Sequence, residues 1–314
     1  MTKSDQLIEV LDTRAKRRND RRAFFKTALG AAAVGVTLAI PLDAAAQAVP
    51  SDADILNFAL NLEYLEAQFY SFAANGTSIP ISLLSGTGTP GAPSGGRQVT
   101  FTDPAVGRYA REIAGDEQAH VAFLRSVLGS FAVAQPALDL SADVNGAFST
   151  AARAAGLIGA GQAFDPYAND QNFLLAAFIF EDVGVTAYKG ASPLITNKTY
   201  LEAAAGILAA EAYHAGLIRT TLYRKGLAMP SLIDATEAIS NARDSLDGSS
   251  DLDQGVRNIG NASNIVPTDS NGIAYSRSAG QVLNIAYLNK AAVDRGGFFP
   301  TGVNGAIKLS AASA

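Results

Sequence analysis

The two histidines of this chain, His120 and His214, each follow a glutamate by three residues, Glu117 and Glu211. Residues i and i+3 share one face of an α-helix, so each carboxylate and imidazole pair can hold one metal ion together. The chain contains no cysteine, which excludes disulfides, thiolate zinc sites and iron–sulfur clusters. Metal binding therefore depends on histidine, carboxylates, tyrosine and backbone oxygens. The repeated Glu-x-x-His pattern predicts that the two pairs are metal ligands.

Two further glutamates, Glu63 and Glu181, stand inside strongly apolar helical segments. A carboxylate in an apolar core is costly unless it is paired or binds a cation. Glu66 lies near the same helix face as Glu63 and is the alternative metal ligand of that segment. Tyr70 and Tyr188 follow Glu63 and Glu181 by seven residues, about two turns, so each tyrosine is expected near its own glutamate's face, as a functional or a packing residue.

Hydrophobic periodicity predicts four long helices. The first begins in a Ser51–Asp54 capping box and ends near Asn75-Gly76. The second runs from Asp103-Pro104 to about Gly129, the third from Asn169-Asp170 to about Gly190, and the fourth from a capping box at Thr199 and Glu202 to Gly226. Residues 76–103 form a loop with a candidate extended piece at 99–101. Residues 131–170 form a long crossover with a candidate short helix at 148–157, as expected when the second and third helices are parallel.

The pattern of one glutamate from each of two helices and Glu-x-x-His from each of the other two matches di-metal four-helix bundles. The segments Leu56–Tyr70, Asp116–Leu124 and Gly296–Pro300 resemble the ferritin-like superfamily, in particular its exported branch similar to plant desiccation-related proteins. The resemblance covers about Asp52 to Gly305. It implies an all-α, ferritin-like four-helix bundle with a long crossover between its second and third helices.

The resemblance also implies a site with two iron or manganese ions. Glu63 and Glu181 would be terminal ligands, and Glu117 and Glu211 would bridge the two ions. His120 and His214 would each bind one ion, with Tyr70 and Tyr188 as the catalytic tyrosines that orient carboxylates. Glu112, Asp116 and Asp182 are interpreted as solvated or capping groups. The implied chemistry is oxidation of ferrous iron or reduction of oxygen or peroxide, as in a ferroxidase or a manganese-catalase-like enzyme in stress protection.

Beyond the predicted bundle of residues 49–230, residues 231–314 are polar and irregular, with candidate helices at 231–246 and 278–288. They are interpreted as a C-terminal extension that packs on the bundle, with a separate interaction module as the alternative. The pair Phe298-Phe299 is expected to anchor the tail in a groove. The long loops and the tail argue against assembly into a ferritin cage, although a smaller homo-oligomer remains open.

Residues 1–48 have the parts of a bacterial export signal: Arg21-Arg22, an apolar stretch from Thr27 to Ile40, and small residues from Ala44 to Ala48. The paired arginines before two phenylalanines resemble a twin-arginine signal, with cleavage expected near Ala46 or Ala48. The apolar stretch of about 14 residues is shorter than the roughly 20 that a membrane span needs, although a retained anchor is the alternative. The sequence predicts a periplasmic or extracellular protein, without stable membrane insertion after cleavage.

The chain carries 24 basic and 29 acidic residues, and eight of the basic ones lie within the first 48 residues. The remaining, more acidic part is unsuited to nucleic acid. Two classes of function remain open on the sequence. One is a di-metal oxidoreductase that acts on O2 or peroxide. The other is a non-catalytic structural or desiccation-protective protein that keeps the bundle with a vestigial or purely structural metal site.

Overall fold

The first helix begins where the sequence provides its cap. In the computed structural model, which describes residues 50–313, α1 spans Asp52–Asn75. The side chains of Ser51 and Asp54 form the predicted capping box, and Gly76 ends the helix with a φ of 75°. A positive φ is strained for residues with a Cβ atom, which explains glycine at this position.

Three more long helices complete the bundle, and a short helix precedes the third long helix of the chain. Helix α2 spans Pro104–Leu128, α3 spans Ala147–Ala154, α4 spans Asp170–Ala191 and α5 spans Lys198–Gly226. Asp103 and Asn169 cap α2 and α4 with their side chains. The predicted capping box at Thr199 is wrong, because α5 starts earlier and its cap is Asn197, whose side chain accepts from the backbone N–H groups of Thr199 and Tyr200.

Contacts between helix ends define the directions of the helices. The Asp170 carboxylate at the start of α4 accepts hydrogen bonds from the backbone N–H groups of Thr102 and Asp103, at the start of α2. Helices α2 and α4 therefore begin at the same end and run parallel, as the long crossover predicts. At the opposite end, Asp52 accepts from the backbone of Thr196 and Asn197, next to the start of α5. The predicted all-α four-helix bundle is confirmed.

The two long connections meet each other on the side of the bundle. Strand β1, Pro93–Ser94, pairs in parallel with β2, Leu138–Asp139, in the register Pro93 with Leu138 and Ser94 with Asp139. Short 3-10 turns lie at Ile81–Leu83, Gly129–Phe131 and Ser192–Leu194. The extended piece predicted at 99–101 is not a strand.

Aromatic rings fill one end of the core. The ring of Phe69 in α1 stacks on Phe173 of α4, with centroids 5.7 Å apart, and touches Tyr70 edge to face. Phe298 from the C-terminal tail packs edge to face on Phe148 and Phe180. The prediction that the Phe298-Phe299 pair anchors the tail is confirmed by the burial of both rings.

The C-terminal extension contains α6, Pro230–Asp247, and α7, Ala279–Ala286, and both helices contact α4. Buried arginines join this extension to the bundle. Arg219 of α5 and Arg243 of α6 both donate to the carboxylate of Asp182 in α4, at 2.7 and 3.1 Å. Asp182 is therefore a buried ion-pair partner of two arginines, and the interpretation of it as a solvated or capping group is wrong.

None of the helices within residues 50–313 is long and apolar enough to cross a membrane. The predicted export signal, residues 1–48, lies outside the described residues.

Candidate metal centre

Four helices bring the six predicted ligands into one buried cluster. Glu63 comes from α1, Glu181 from α4, and the two Glu-x-x-His pairs from α2 and α5. Five of the six side chains are buried, and His120 is partly exposed. Their donor atoms form two overlapping groups, in each of which every atom lies within 4.8 Å of the others. One group is Glu63, Glu117, His120 and Glu211, and the other is Glu117, Glu181 and His214.

The first group surrounds one ring nitrogen of His120. Its Nδ1 lies 3.2 Å from Oε2 of Glu63 and 3.4 Å from Oε2 of Glu117. Oε1 of Glu211 is 3.9 Å away. Three carboxylates from three different helices therefore face the same imidazole nitrogen.

The second group surrounds Nδ1 of His214. This atom lies 3.0 Å from Oε1 of Glu117 and 3.6 Å from Oε2 of Glu181. The other ring nitrogen, Nε2, is 3.1 Å from Oδ2 of Asp116. A hydrogen bond there fixes which ring nitrogen is free to bind an ion. Glu117 presents one oxygen to each histidine, so it stands between the two groups.

Several donor atoms of the cluster have no hydrogen-bond partner among the described residues, although they are fully buried. They are both carboxylate oxygens of Glu117, both of Glu211, Oε2 of Glu181 and Nδ1 of His214. Some of these atoms lie close together, such as Nδ1 of His214 and Oε1 of Glu117 at 3.0 Å, but without the geometry of a hydrogen bond. Buried, unpartnered carboxylate oxygens are strongly unfavourable without a cation. The donor set of carboxylates and imidazoles suits iron or manganese, and the residues present fit such ions.

Burial and mutual repulsion shift the pKa values of the carboxyl groups in the absence of metal. Burial and the charge of Glu117 raise the pKa of Glu63 to about 7. Burial also raises the pKa of Glu181 and, with the repulsion of neighbouring glutamates, that of Glu211. For Glu117 burial acts in the same direction, but contacts with His120 and His214 outweigh it and lower its pKa to about 2.

The pKa values of the two histidines shift in the direction opposite to the one that burial alone would produce. Burial lowers the pKa of a histidine, but contacts with Glu117 and Glu63 raise that of His120 to about 10. Contacts with Glu117 and Glu181 likewise raise the pKa of His214 to about 12. Without metal the cluster therefore retains protons, and an ion that binds must displace them.

Each tyrosine hydrogen-bonds to the glutamate of the other helix. Tyr70 of α1 donates to Oε1 of Glu181 at 2.5 Å, and Tyr188 of α4 donates to Oε1 of Glu63. The sequence predicted only that each tyrosine shares a helix face with its own glutamate, and the fold adds that its hydroxyl reaches the glutamate of the other helix. Burial and the adjacent carboxylates raise the pKa of both tyrosines well above its usual range, so both hydroxyls keep their protons and donate.

Glu66 is a fifth buried carboxylate beside the cluster. It is absent from both groups of close donor atoms, whereas Glu63 belongs to the first of them. Burial and the charges of Glu117, Glu181 and Glu63 raise its pKa well above the usual range. The sequence posed Glu63 and Glu66 as alternatives, whereas the fold buries both, with Glu63 at the donor cluster.

Gly184 of α4 makes room for the cluster. A Cβ atom at this position would overlap Oε2 of Glu211 and lie 3.5 Å from Oε1 of Glu66. Sequence reasoning missed this residue, and it also assigned Asp116 only a solvated or capping role. The proximity of Asp116 to Glu117 in the chain was a signal, but its contact with His214 needs the fold.

A family model described as a ferritin-like domain matches residues 51–224. The chain belongs to the ferritin-like domain family. The match includes all four long helices almost to the end of α5, and therefore every residue of the donor cluster. The resemblance seen in the sequence is confirmed at the level of the family, and the confirmed bundle is thus a ferritin-like one.

Two curated relatives share most of their length with this ferritin-like protein. It is 29% identical over 269 residues to "Ferritin-like catalase Nec2" of Nesocodon mauritianus, covering 82% of this chain and 85% of that one. It is 32% identical over 246 residues to "Desiccation-related protein PCC13-62" of Craterostigma plantagineum, covering 73% and 75%. The predicted similarity to desiccation-related proteins is confirmed. No solved structure matches the chain.

Proposed function

We propose that this ferritin-like protein binds two iron or manganese ions in the donor cluster and decomposes hydrogen peroxide with them. One observation carries the proposal: the Nδ1 atoms of His120 and His214 each face a buried oxygen of Glu117 that lacks a hydrogen-bond partner within the described residues. The similarity to a relative named a ferritin-like catalase supports peroxide as the substrate.

Two adjacent ions that each change charge by one would supply the two electrons exchanged when two peroxide molecules become one O2 and two water molecules. The protein's own residues hold and orient the ligands. Glu63, His120 and Glu211 would hold one ion, and Glu181 and His214 the other, with Glu117 shared between them. Asp116 orients the His214 ring through Nε2. Tyr70 orients the carboxylate of Glu181, and Tyr188 orients that of Glu63.

The proposal is tested on protein purified from cells grown with both iron and manganese. We expect about two ions of iron or manganese per chain by elemental analysis and consumption of peroxide with release of O2. Glu117→Gln removes the charge shared by the two groups, so metal content and peroxide consumption should both fall. Ferrous oxidation, measured in parallel, tests a ferroxidase as the alternative activity of the same centre.

Glu112→Gln is the matched control, because Glu112 lies on the same helix but is exposed. It should keep both metal and activity. Protein that contains no metal after reconstitution with either ion would rule out the proposed centre.

A non-catalytic protective role is the second candidate, favoured by the relative named a desiccation-related protein. In that case the protein would bind metal and be stabilised by it, yet consume neither peroxide nor ferrous iron. Bound metal without either activity would therefore support this second candidate over the first.

We further propose that residues 1–48 direct export by the twin-arginine route. Folding before export would allow the centre to load its metal in the cytoplasm. Replacement of Arg21 and Arg22 by lysine should retain uncleaved precursor in the cells, whereas wild-type protein outside the cytoplasm should begin near Gln47 or Val49. Normal export of the double variant would contradict this route.

A further inference from the structure

A cavity of about 480 Å³ lies between α2 and α5 and reaches the donor cluster at His120. Its other lining residues come from α1, α2 and α5, and most of them are aliphatic or aromatic. Leu56, Leu124 and Ile207 are buried and form its floor, whereas Phe123, Glu202 and Gly206 are exposed at its rim. The cavity therefore connects the protein surface with one imidazole of the centre.

The volume of this cavity exceeds what peroxide requires. A water molecule, similar in size to half a peroxide, occupies about 30 Å³ in the liquid. Pockets of about 300–1,000 Å³ typically hold organic ligands of drug-like size. The space before His120 is thus large enough for an organic molecule with at least one ring.

The lining selects against charge, and in particular against negative charge. Most of the wall is aliphatic or aromatic carbon, and burial of an unpaired charge against it would be costly. The carboxylate of Glu202 is at the rim, and behind His120 lie Glu63, Glu117 and Glu211. An anion would face both the apolar wall and these carboxylates, whereas a neutral ring would meet Phe123 and Tyr200.

We propose that this cavity is a binding site for an uncharged, largely apolar aromatic molecule that extends from the surface to His120. The inference does not depend on peroxide chemistry, because the cavity is formed by the protein alone. Such a ligand would lie across this approach to the metal centre and would therefore obstruct it.

N-phenyl-naphthylamine is a suitable probe, since it is neutral and fluoresces strongly in apolar surroundings. Anilinonaphthalene sulfonate carries a similar ring system with a negative charge. The metal-free protein is titrated with each compound separately. The neutral probe should bind saturably, with one molecule per chain. The sulfonate should bind at least about tenfold more weakly, equivalent to about 1.4 kcal/mol.

Gly206→Phe fills the cavity from its rim. A Cβ atom at Gly206 meets no other atom within 4 Å, and the replacement of glycine within a helix favours folding. Gly115→Phe is the matched control, because Gly115 is an exposed glycine of α2, also without neighbours within 4 Å, and it does not line the cavity. We expect Gly206→Phe to weaken binding of the neutral probe at least about tenfold and Gly115→Phe to leave it unchanged.

Three results would overturn the proposal. The first is no saturable binding of the neutral probe, and the second is equal binding by both phenylalanine variants. The third is a wild-type dimer that Gly206→Phe converts to monomers, because the groove would then belong to an interface between two copies. The fluorescence titration requires neither metal nor turnover, so its outcome is separate from that of the peroxide assay.

Discussion

Glu117 is the residue in which the two halves of the cluster meet. Its two oxygens lie 3.4 and 3.0 Å from the Nδ1 atoms of His120 and His214. It is also the one glutamate of the cluster whose pKa falls, because both imidazoles act on it. A carboxylate that stays ionised between two nitrogen donors is well suited to bridge two cations.

Tyr70→Phe removes the hydroxyl that donates to Glu181 at 2.5 Å. The buried carboxylate then loses its donor, so the metal-free protein should lose about 1–3 kcal/mol of unfolding free energy. Metal affinity should fall about 10–100-fold, as when partners of metal ligands are removed. Denaturant unfolding and metal titration measure the two effects.

Tyr213→Phe provides the control for this measurement. Tyr213 is 79% exposed and lies next to His214 in the chain, so loss of its hydroxyl should change neither quantity. Equal effects of the two variants would show that the Tyr70 hydrogen bond has no special role.

The pKa shifts predict how pH acts on the cluster. In the folded protein the pKa of Glu63 is about 7, against an ordinary value of 4.5. Protonation of Glu63 therefore favours the folded state, and its contribution to the unfolding free energy is fully present below pH 4.5. This contribution is lost as pH rises through about 7. His120, raised to about 10, acts in the same direction, and its contribution is lost at higher pH.

The stability gained from bound metal should therefore increase with pH. Between about pH 5 and about pH 8 the ion has fewer protons to displace from the cluster, and the metal-free protein itself becomes less stable. Melting temperatures of chelator-treated and manganese-loaded protein, compared across this range, measure the effect. A difference that stays constant or shrinks with rising pH would contradict the proposed ligands.

At the scale of single elements, α4 contributes both a ligand and the space for another ligand. Glu181 faces the cluster, and Gly184, three residues later, leaves the volume that Glu211 of α5 occupies. Close approach of α4 and α5 at the centre therefore requires a residue without a Cβ atom at this position.

Gly184→Ala should displace the Glu211 carboxylate and weaken metal binding at least about tenfold. Overall stability should change by less than about 2 kcal/mol, because the cost of overpacking opposes the gain in helix propensity. Elemental analysis and denaturant unfolding separate these effects. Gly115→Ala, in open space on α2, should retain the metal, and metal loss in neither variant would mean that Glu211 is free to move.

At the scale of the whole molecule, buried arginines join the extension to the bundle. Arg219 of α5 is 1% exposed and donates to Asp182 and to four carbonyl oxygens of the extension. These carbonyls belong to Gln254, Gly255, Asn264 and Ile265. Asp182 is the neighbour of Glu181, so the extension holds the part of α4 that carries a candidate metal ligand.

Arg219→Met should destabilise the protein by about 3–5 kcal/mol, because it leaves Asp182 with one fewer cation and strands buried carbonyls. Arg257→Met is the control, since its pair with Asp234 is exposed and should contribute less than about 1 kcal/mol. Denaturant unfolding of the metal-free protein measures both. Similar small losses would mean that the extension contributes little to the bundle.

The sequence alone determined the four long helices, most of their caps and the six side chains that converge between them. These features follow from short-range chemistry: capping side chains, apolar residues every three or four positions, and Glu-x-x-His pairs on one helix face. The cap of α5 was misplaced by two residues, because Asn197 and Thr199 are both good capping residues and local sequence does not choose between them.

Only the tertiary structure decided which side chains meet across helices. The crossed tyrosine–glutamate pairs, the contact of Asp116 with His214, the space at Gly184 and the pairing of Asp182 with two arginines join residues far apart in the chain. Such contacts depend on the relative rotation and offset of packed helices. Periodicity within one helix defines which face is buried, but it carries no information on which residue of a neighbouring helix that face will meet.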